Sequence, residues 1–85
     1  MNTTFSLDKL PVGRCGIVQR LHTVGNIRRR LLDIGLIENT VVECIGKSPA
    51  GDPLAFLIRG AVIAIRREDC RTVDISIEEE KTLWD

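Results

Sequence analysis

Apolar and polar positions alternate with a period of two over most of this chain, which predicts strands. Over residues 14–21, Cys15, Ile17, Gln19 and Leu21 fall on one side of an extended backbone and Gly16, Val18 and Arg20 on the other, a half-buried strand in which Gly16 marks a bend or bulge. Residues 40–45 are rich in β-branched side chains and set Val42 and Cys44 against Val41, Glu43 and Ile45. Two further apolar runs, 54–58 and 62–65, flank the pair Arg59 and Gly60, a tight reversal, and in the second run Ile63 and Ile65 face away from Val62 and Ala64. Val73, Ile75 and Ile77 make a closing strand after residues 66–71, whose polar composition suits a single helical turn. On this reading Cys15 and Cys44 point inward.

The period changes once. Ile27, Leu31 and Ile34 recur at helical spacing with Leu32 beside them, which predicts a short helix between Gly25 and Gly35. Asn26 is the expected cap at its start, and Gly35 supplies the left-handed residue that ends it. A helix this short is unstable alone in water, so its apolar stripe must pack on a sheet.

Turn formers punctuate the rest. Pro11 and Gly13 predict an extended lead-in over residues 7–13, and Ser48, Pro49, Gly51, Asp52 and Pro53 crowd the loop at 47–53. The sum is a mainly β fold: a small five-stranded barrel with one short α-helix after the first strand. The expected organisation is one barrel domain over residues 1–77 and an acidic tail over 78–85 that carries Glu78, Glu79, Glu80 and Trp84.

Composition narrows the function. Among 85 residues, 44% are apolar and 28% charged, enough for one core. Twelve basic residues balance twelve acidic ones, and with only Phe5, Phe56 and Trp84 as aromatics the chain lacks the field and stacking surface of a nucleic-acid binder. Three widely spaced cysteines, Cys15, Cys44 and Cys70, form neither a disulfide framework nor a paired zinc motif and fit a reducing, cytoplasmic setting. No basic leader precedes an apolar core, and no apolar run approaches the roughly 18 residues of a bilayer crossing. His22 is the only histidine, so a closed metal site lacks its companion ligands, although a weak divalent-metal contact through His22 and carboxylates stays open as an alternative. Without a nucleophile and base pair or a Gly-rich phosphate loop, no catalytic residue and no cofactor is expected.

Several motifs then line up in order. The run RRRLLDIGLIENTVVE over 28–43 resembles the arginine-leucine-aspartate-glycine signature of the FeoA family, SPAGDPLAF over 48–56 resembles its second signature, and IRGAVIAIRRED over 58–69 follows at the family's spacing. The resemblance spans residues 7–77. Two positions depart from it: Asn39 stands where glycine is common, a change Asn tolerates because it adopts left-handed backbone readily, and Ala61 stands where a bulky residue is common.

The resemblance implies an SH3-like five-stranded barrel that serves as a cytoplasmic accessory protein of ferrous-iron transport and acts on the membrane GTPase transporter FeoB by protein contact. An alternative partner is an iron-dependent transcriptional repressor, whose terminal barrel is similar. Candidate partner-binding residues are Arg28, Arg29, Arg30 and Asp33 on the helix, Gly51, Asp52 and Pro53 in the loop, and Arg59 in the hairpin. The three arginines fan over roughly 200° of helix surface, so one of them can pair with Asp33, Arg29 at i,i+4 being placed for it, while at least one other stays free for an acidic partner.

Overall fold

Antiparallel pairing runs through almost the whole chain. The computed structural model describes residues 2–78, which form β1 (Asn2–Ser6), a 3-10 turn (Leu7–Lys9), β2 (Cys15–Leu21), α1 (Gly25–Asp33), β3 (Val41–Lys47), β4 (Leu54–Ile58), β5 (Ala61–Ile65), α2 (Arg67–Cys70) and β6 (Val73–Glu78). The six strands make one sheet in the order β1-β6-β2-β3-β4-β5. Glu78, expected to begin the acidic tail, is the last residue of β6; the rest of that tail, with Trp84, lies outside the described residues.

Two expectations about the architecture are corrected. The strands number six rather than five, because Asn2–Ser6 pairs with β6 in the register Ser6↔Asp74, Phe5↔Ile75, Thr3↔Ile77, and hydrogen bonding leaves β1 and β5 as edges. A run with Phe5 as its only apolar residue has no alternation to read; β1 exists because β6 offers it a ladder. The lead-in is likewise not simply extended. Its Leu7–Lys9 turn drives Leu7 and Leu10 into the core, where both are buried.

The core is filled from β2 to β6, with Val18, Val42, Cys44, Leu54, Phe56, Ile58, Ile65, Val73 and Ile75 buried together with Leu31 and Leu36, and Phe5 of β1 packs partly buried against it. On β2 the inward face is Gly16 and Val18, and Cys15 is exposed, the reverse of the expected orientation. Cys15, Ile17 and Leu21 on the opposite side outnumber Val18, so alternation alone points to the wrong face. Gly16 decides it: a Cβ there would meet Ile75 Cδ1 at 2.7 Å, so only glycine leaves the Ile75 side chain its place in the core. The irregularity in the strand lies further on, between Val18 and Arg20 opposite β6.

Helix α1 packs through Leu31, which is buried, with Leu32 and Ile34 partly covered, while Ile27 stays 42% exposed. The residue before its first turn is Val24, without a side-chain cap, so Asn26 lies inside the first turn and is not the cap expected. The other end matches expectation. Gly35 sits at φ 106°, its N–H donates to Leu32 O at 3.0 Å, and the Leu36 N–H donates to Leu31 O at 3.0 Å. This is the Schellman pattern, and Leu31 and Leu36 on its two sides are both buried in the core. Asn39 adopts φ 71°, the left-handed conformation its substitution for glycine requires.

Candidate docking surface

The three arginines of α1 have three different surroundings. Arg28 Nη1 donates to Leu21 O at 3.1 Å and to Thr23 O at 3.5 Å, which pins the start of the helix to the end of β2. Arg30 Nη2 lies 3.4 Å from Asp69 Oδ2, joining α1 to α2; the Arg30 side chain is 66% exposed and the Asp69 side chain only 10%. Arg29 is exposed and has no ion pair among the described residues. The expected Arg29 and Asp33 pair does not form: both side chains point to solvent, where an i,i+4 pair is worth too little to hold two long side chains in one geometry.

The loop at residues 48–53 is tied to α2. Its own turn is closed by the Gly51 N–H donating to Ser48 O at 2.8 Å and the Ser48 N–H donating to Pro53 O at 3.1 Å. Asp52 Oδ1 accepts the Arg67 N–H at 2.9 Å, capping the first turn of α2 from outside that helix, and the Arg67 guanidinium donates to Gly51 O at 2.9 Å and to Asp8 O at 3.4 Å. Gly51 and Asp52 are thus positioned by Arg67, a residue sequence reasoning missed, because a contact between positions 52 and 67 leaves no local spacing to read. Pro53 is exposed and lines an open cleft of about 390 Å³ with Asp52, Arg66, Arg67, Glu68 and Arg71.

Arg59 takes φ 52° and Gly60 φ 84°, the two left-handed residues of a tight hairpin, and the Arg59 side chain lies beside Gly35 at the end of α1. The fold links part of the sequence candidates through a row of contacts. Arg59 abuts α1, Arg30 links α1 to α2 through Asp69, and Arg67 links α2 to Gly51 and Asp52. Pro53 and Arg59 are exposed, and so are Arg29 and Asp33, which line a separate opening on α1 with Gly25, Arg28 and Leu32.

Other titratable groups are accounted for locally. His22 Nε2 is 2.6 Å from Asp74 Oδ2, and among the described residues no three His, Cys, Asp or Glu side chains converge as metal ligands. Cys70 is buried, and burial, reinforced by the negative charge of Asp8 and Asp69, pushes its thiol pKa up to about 12. Exposed Cys15 lines an open groove of about 540 Å³ with Arg14, Ile17, Val41, Ser76 and Ile77, a feature hidden from sequence once Cys15 was assigned inward. No helix of the described residues is long and apolar enough to cross a membrane.

An antiparallel sheet of six short strands with one helix inserted after β2 defines an SH3-like β module. The Stenotrophomonas maltophilia FeoA complexed with zinc, described as a prokaryotic SH3 domain protein, shares this fold at a TM-score of 0.74, with 24% identity over 84% of this chain and 88% of that one. The family model for the FeoA domain matches residues 5–77, and the chain belongs to the FeoA family. FeoA from Chlorobium tepidum has a TM-score of 0.83 and 24% identity over 93% of this chain and 75% of that one. In Porphyromonas gingivalis, a fusion protein of Fe(2+) transport protein A and the Fe(2+) transporter FeoB is 24% identical over 71 residues, which cover 84% of this chain and only 8% of the fusion protein. The family is thereby linked to ferrous-iron transport.

Proposed function

We propose that this chain is a cytoplasmic accessory domain of ferrous-iron transport that works by docking on the cytoplasmic part of a FeoB-like transporter, without catalysing a reaction and without a cofactor of its own. The observation that carries this reading is the P. gingivalis relative, in which a segment similar to 84% of this chain is continuous with FeoB. Joining two modules in one polypeptide raises their effective concentration to the millimolar range, an arrangement that serves partners which act together.

The docking face is the row built on α1. Arg29 offers a planar guanidinium with no ion pair among the described residues, suited to a carboxylate of the transporter; Asp33 is exposed beside it on α1, and Pro53 and Arg59 are exposed as well. Arg28, Arg30, Gly51 and Asp52 hold the row in shape through the contacts described above. Such a domain sits at the inner face of the membrane by virtue of its partner.

Capture of the purified cytoplasmic part of the transporter by the immobilised chain tests this. The parent chain captures it, and Arg29→Glu weakens capture about tenfold or more at an unchanged thermal midpoint, the scale of one interfacial ion pair lost and replaced by repulsion. Absence of capture by the parent overturns the partner, and equal capture by Arg29→Glu overturns the face.

A further inference from the structure

One edge of the sheet is left open in a way that natural sheets usually avoid. Among the described residues strand β5 pairs only with β4, through Ile58↔Ala61, Phe56↔Ile63 and Leu54↔Ile65, and no further strand adjoins it in the sheet. Next to a two-residue loop, Ile58 and Ala61 form the hydrogen-bonded pair of the ladder, and the alternation from there turns the N–H and C=O of Val62 and Ala64 away from β4. None of these four groups takes part in the hydrogen bonds made by turns, loops or side chains among the described residues. Val62 is 66% exposed and Ala64 is exposed as well, so the free edge is accessible. Exposed edges are commonly blunted by charge, proline or a bulge, and Ala61–Ile65 carries no charged residue, no proline and no register shift against β4.

The surroundings say what kind of strand fits. Arg59 precedes β5 and Arg66 follows it, seven positions apart, about 23 Å of extended chain at ~3.3 Å per residue. Beside β5, a groove of about 350 Å³ shared with α1 is lined by Ile34, Ile63 and Ala64 and by Arg30 and Arg66. Arg66 is 74% exposed with Glu68, 4.0 Å away, as its one ion-pair contact among the described residues, so its guanidinium can turn to a new carboxylate at little cost, while Arg30 stays on Asp69 and adds its positive charge beside the groove. A second copy of this chain fits less well: symmetric pairing about Ile63 sets Arg59 against Arg67 at both ends.

We propose that β5 is a strand-addition edge, which takes up an extended partner segment with apolar residues at alternate positions and carboxylates at its two ends. The backbone groups of Val62 and Ala64 supply the pairing, and Arg59 and Arg66 with Arg30 select the acidic ends. This rests on the reading of the chain as a docking module and adds the recognition mode and the chemistry of the segment.

The test uses a synthetic probe, acetyl-Glu-Thr-Val-Thr-Val-Thr-Val-Glu-amide, and needs no transporter, so its outcome is independent of capture. Amide hydrogen exchange is followed by NMR, with binding measured by anisotropy of the labelled peptide. Expected are slowing of Val62 and Ala64 exchange by about tenfold or more, loss of binding when the peptide's edge amides are N-methylated, and weaker binding of the version with Lys at both ends. Ala64→Pro removes an outward N–H without breaking the β4 ladder and abolishes binding. Val62→Lys, at an exposed side chain, lowers it in a variant whose folding is not at risk. Unchanged exchange at Val62 and Ala64, equal binding of the N-methylated peptide, or protection of these amides that rises with protein concentration in the absence of peptide, the mark of a second copy, would each overturn the proposal.

Discussion

The side chain of Arg59 lies across Gly35, so that a Cβ at Gly35 would meet Arg59 Cδ at 3.2 Å and Ile58 Cγ2 at 3.1 Å. One glycine therefore serves two ends of the molecule: it ends α1 at φ 106° and leaves room for the β4–β5 hairpin to close against that end. Gly35→Ala combines a left-handed penalty with crowding and is expected to cost about 2 kcal/mol or more. For a domain of this size that lowers the thermal midpoint by roughly 10 °C, readable by calorimetry. Gly51→Ala, also at positive φ but with nothing within 4 Å of its Cβ, should lose only the conformational part, about half as much.

Gly16 is argued from packing alone. Its backbone is unremarkable, yet a methyl there would come 2.7 Å from Ile75 Cδ1, and Ile75 is fully buried, so the tip cannot swing away without disturbing its neighbours. Gly16→Ala should destabilise by about 1–3 kcal/mol. Ile75→Val removes the offending carbon at a cost of about 1 kcal/mol by itself. In the double variant the two costs should fall short of their sum by at least about 0.5 kcal/mol in urea unfolding, and simple additivity would show that Ile75 is not what Gly16 accommodates.

Much of this molecule was legible from the chain because helix and strand periods leave distinct marks. Leu31, Val42, Cys44, Ile63 and Ile65 fell on the expected faces, and Gly35, Asn39 and the Arg59 and Gly60 pair announced their turns through the backbone conformations those residues permit. Three of the failures share one cause. The pairing of β1 with β6, the inward choice of Gly16 over Cys15, and the capping of α2 by Asp52 depend on residues far apart in sequence, and the local pattern was silent at the first and last and pointed to the wrong face at Gly16. The candidate site divides in the same way: residue type marked the arginines, but only the fold separates Arg28 and Arg30, held by Leu21 and Asp69, from Arg29.

The three cysteines should differ sharply in reactivity. Cys15 is exposed, whereas Cys44 and Cys70 are buried, and burial pushes the Cys70 pKa from the ordinary thiol value of 9.0 up to about 12. At pH 8 a disulfide reagent should titrate one thiol quickly in the native protein and the remaining two only on unfolding, with Cys15→Ser removing the fast phase. The same shift makes stability depend on pH. Below pH 9 the thiol is protonated in both states; above it the unfolded chain ionises Cys70 and the folded chain does not, so stability falls as pH rises from about 9 towards 12. Cys70→Ala should be less stable at neutral pH and lose less of its stability over that window. An equal slope would assign the alkaline loss to other groups.

Charge reversal at neighbouring arginines separates docking from folding. Asp69 is buried apart from its approach to Arg30, and a glutamate at position 30 would set two carboxylates against each other where one is shielded from water. Arg30→Glu should therefore destabilise by about 1–3 kcal/mol in chemical unfolding. Arg29→Glu, at a side chain in solvent with no ion pair among the described residues, should stay within about 0.5 kcal/mol of the parent. The Arg30→Glu loss should be largely restored by Asp69→Lys, which rebuilds the pair with its signs exchanged, whereas Arg29→Glu leaves nothing to restore. If the two reversals cost the same, the link between α1 and α2 does not discriminate between these arginines, and weakened transporter capture by Arg29→Glu could no longer be read as the loss of a contact alone.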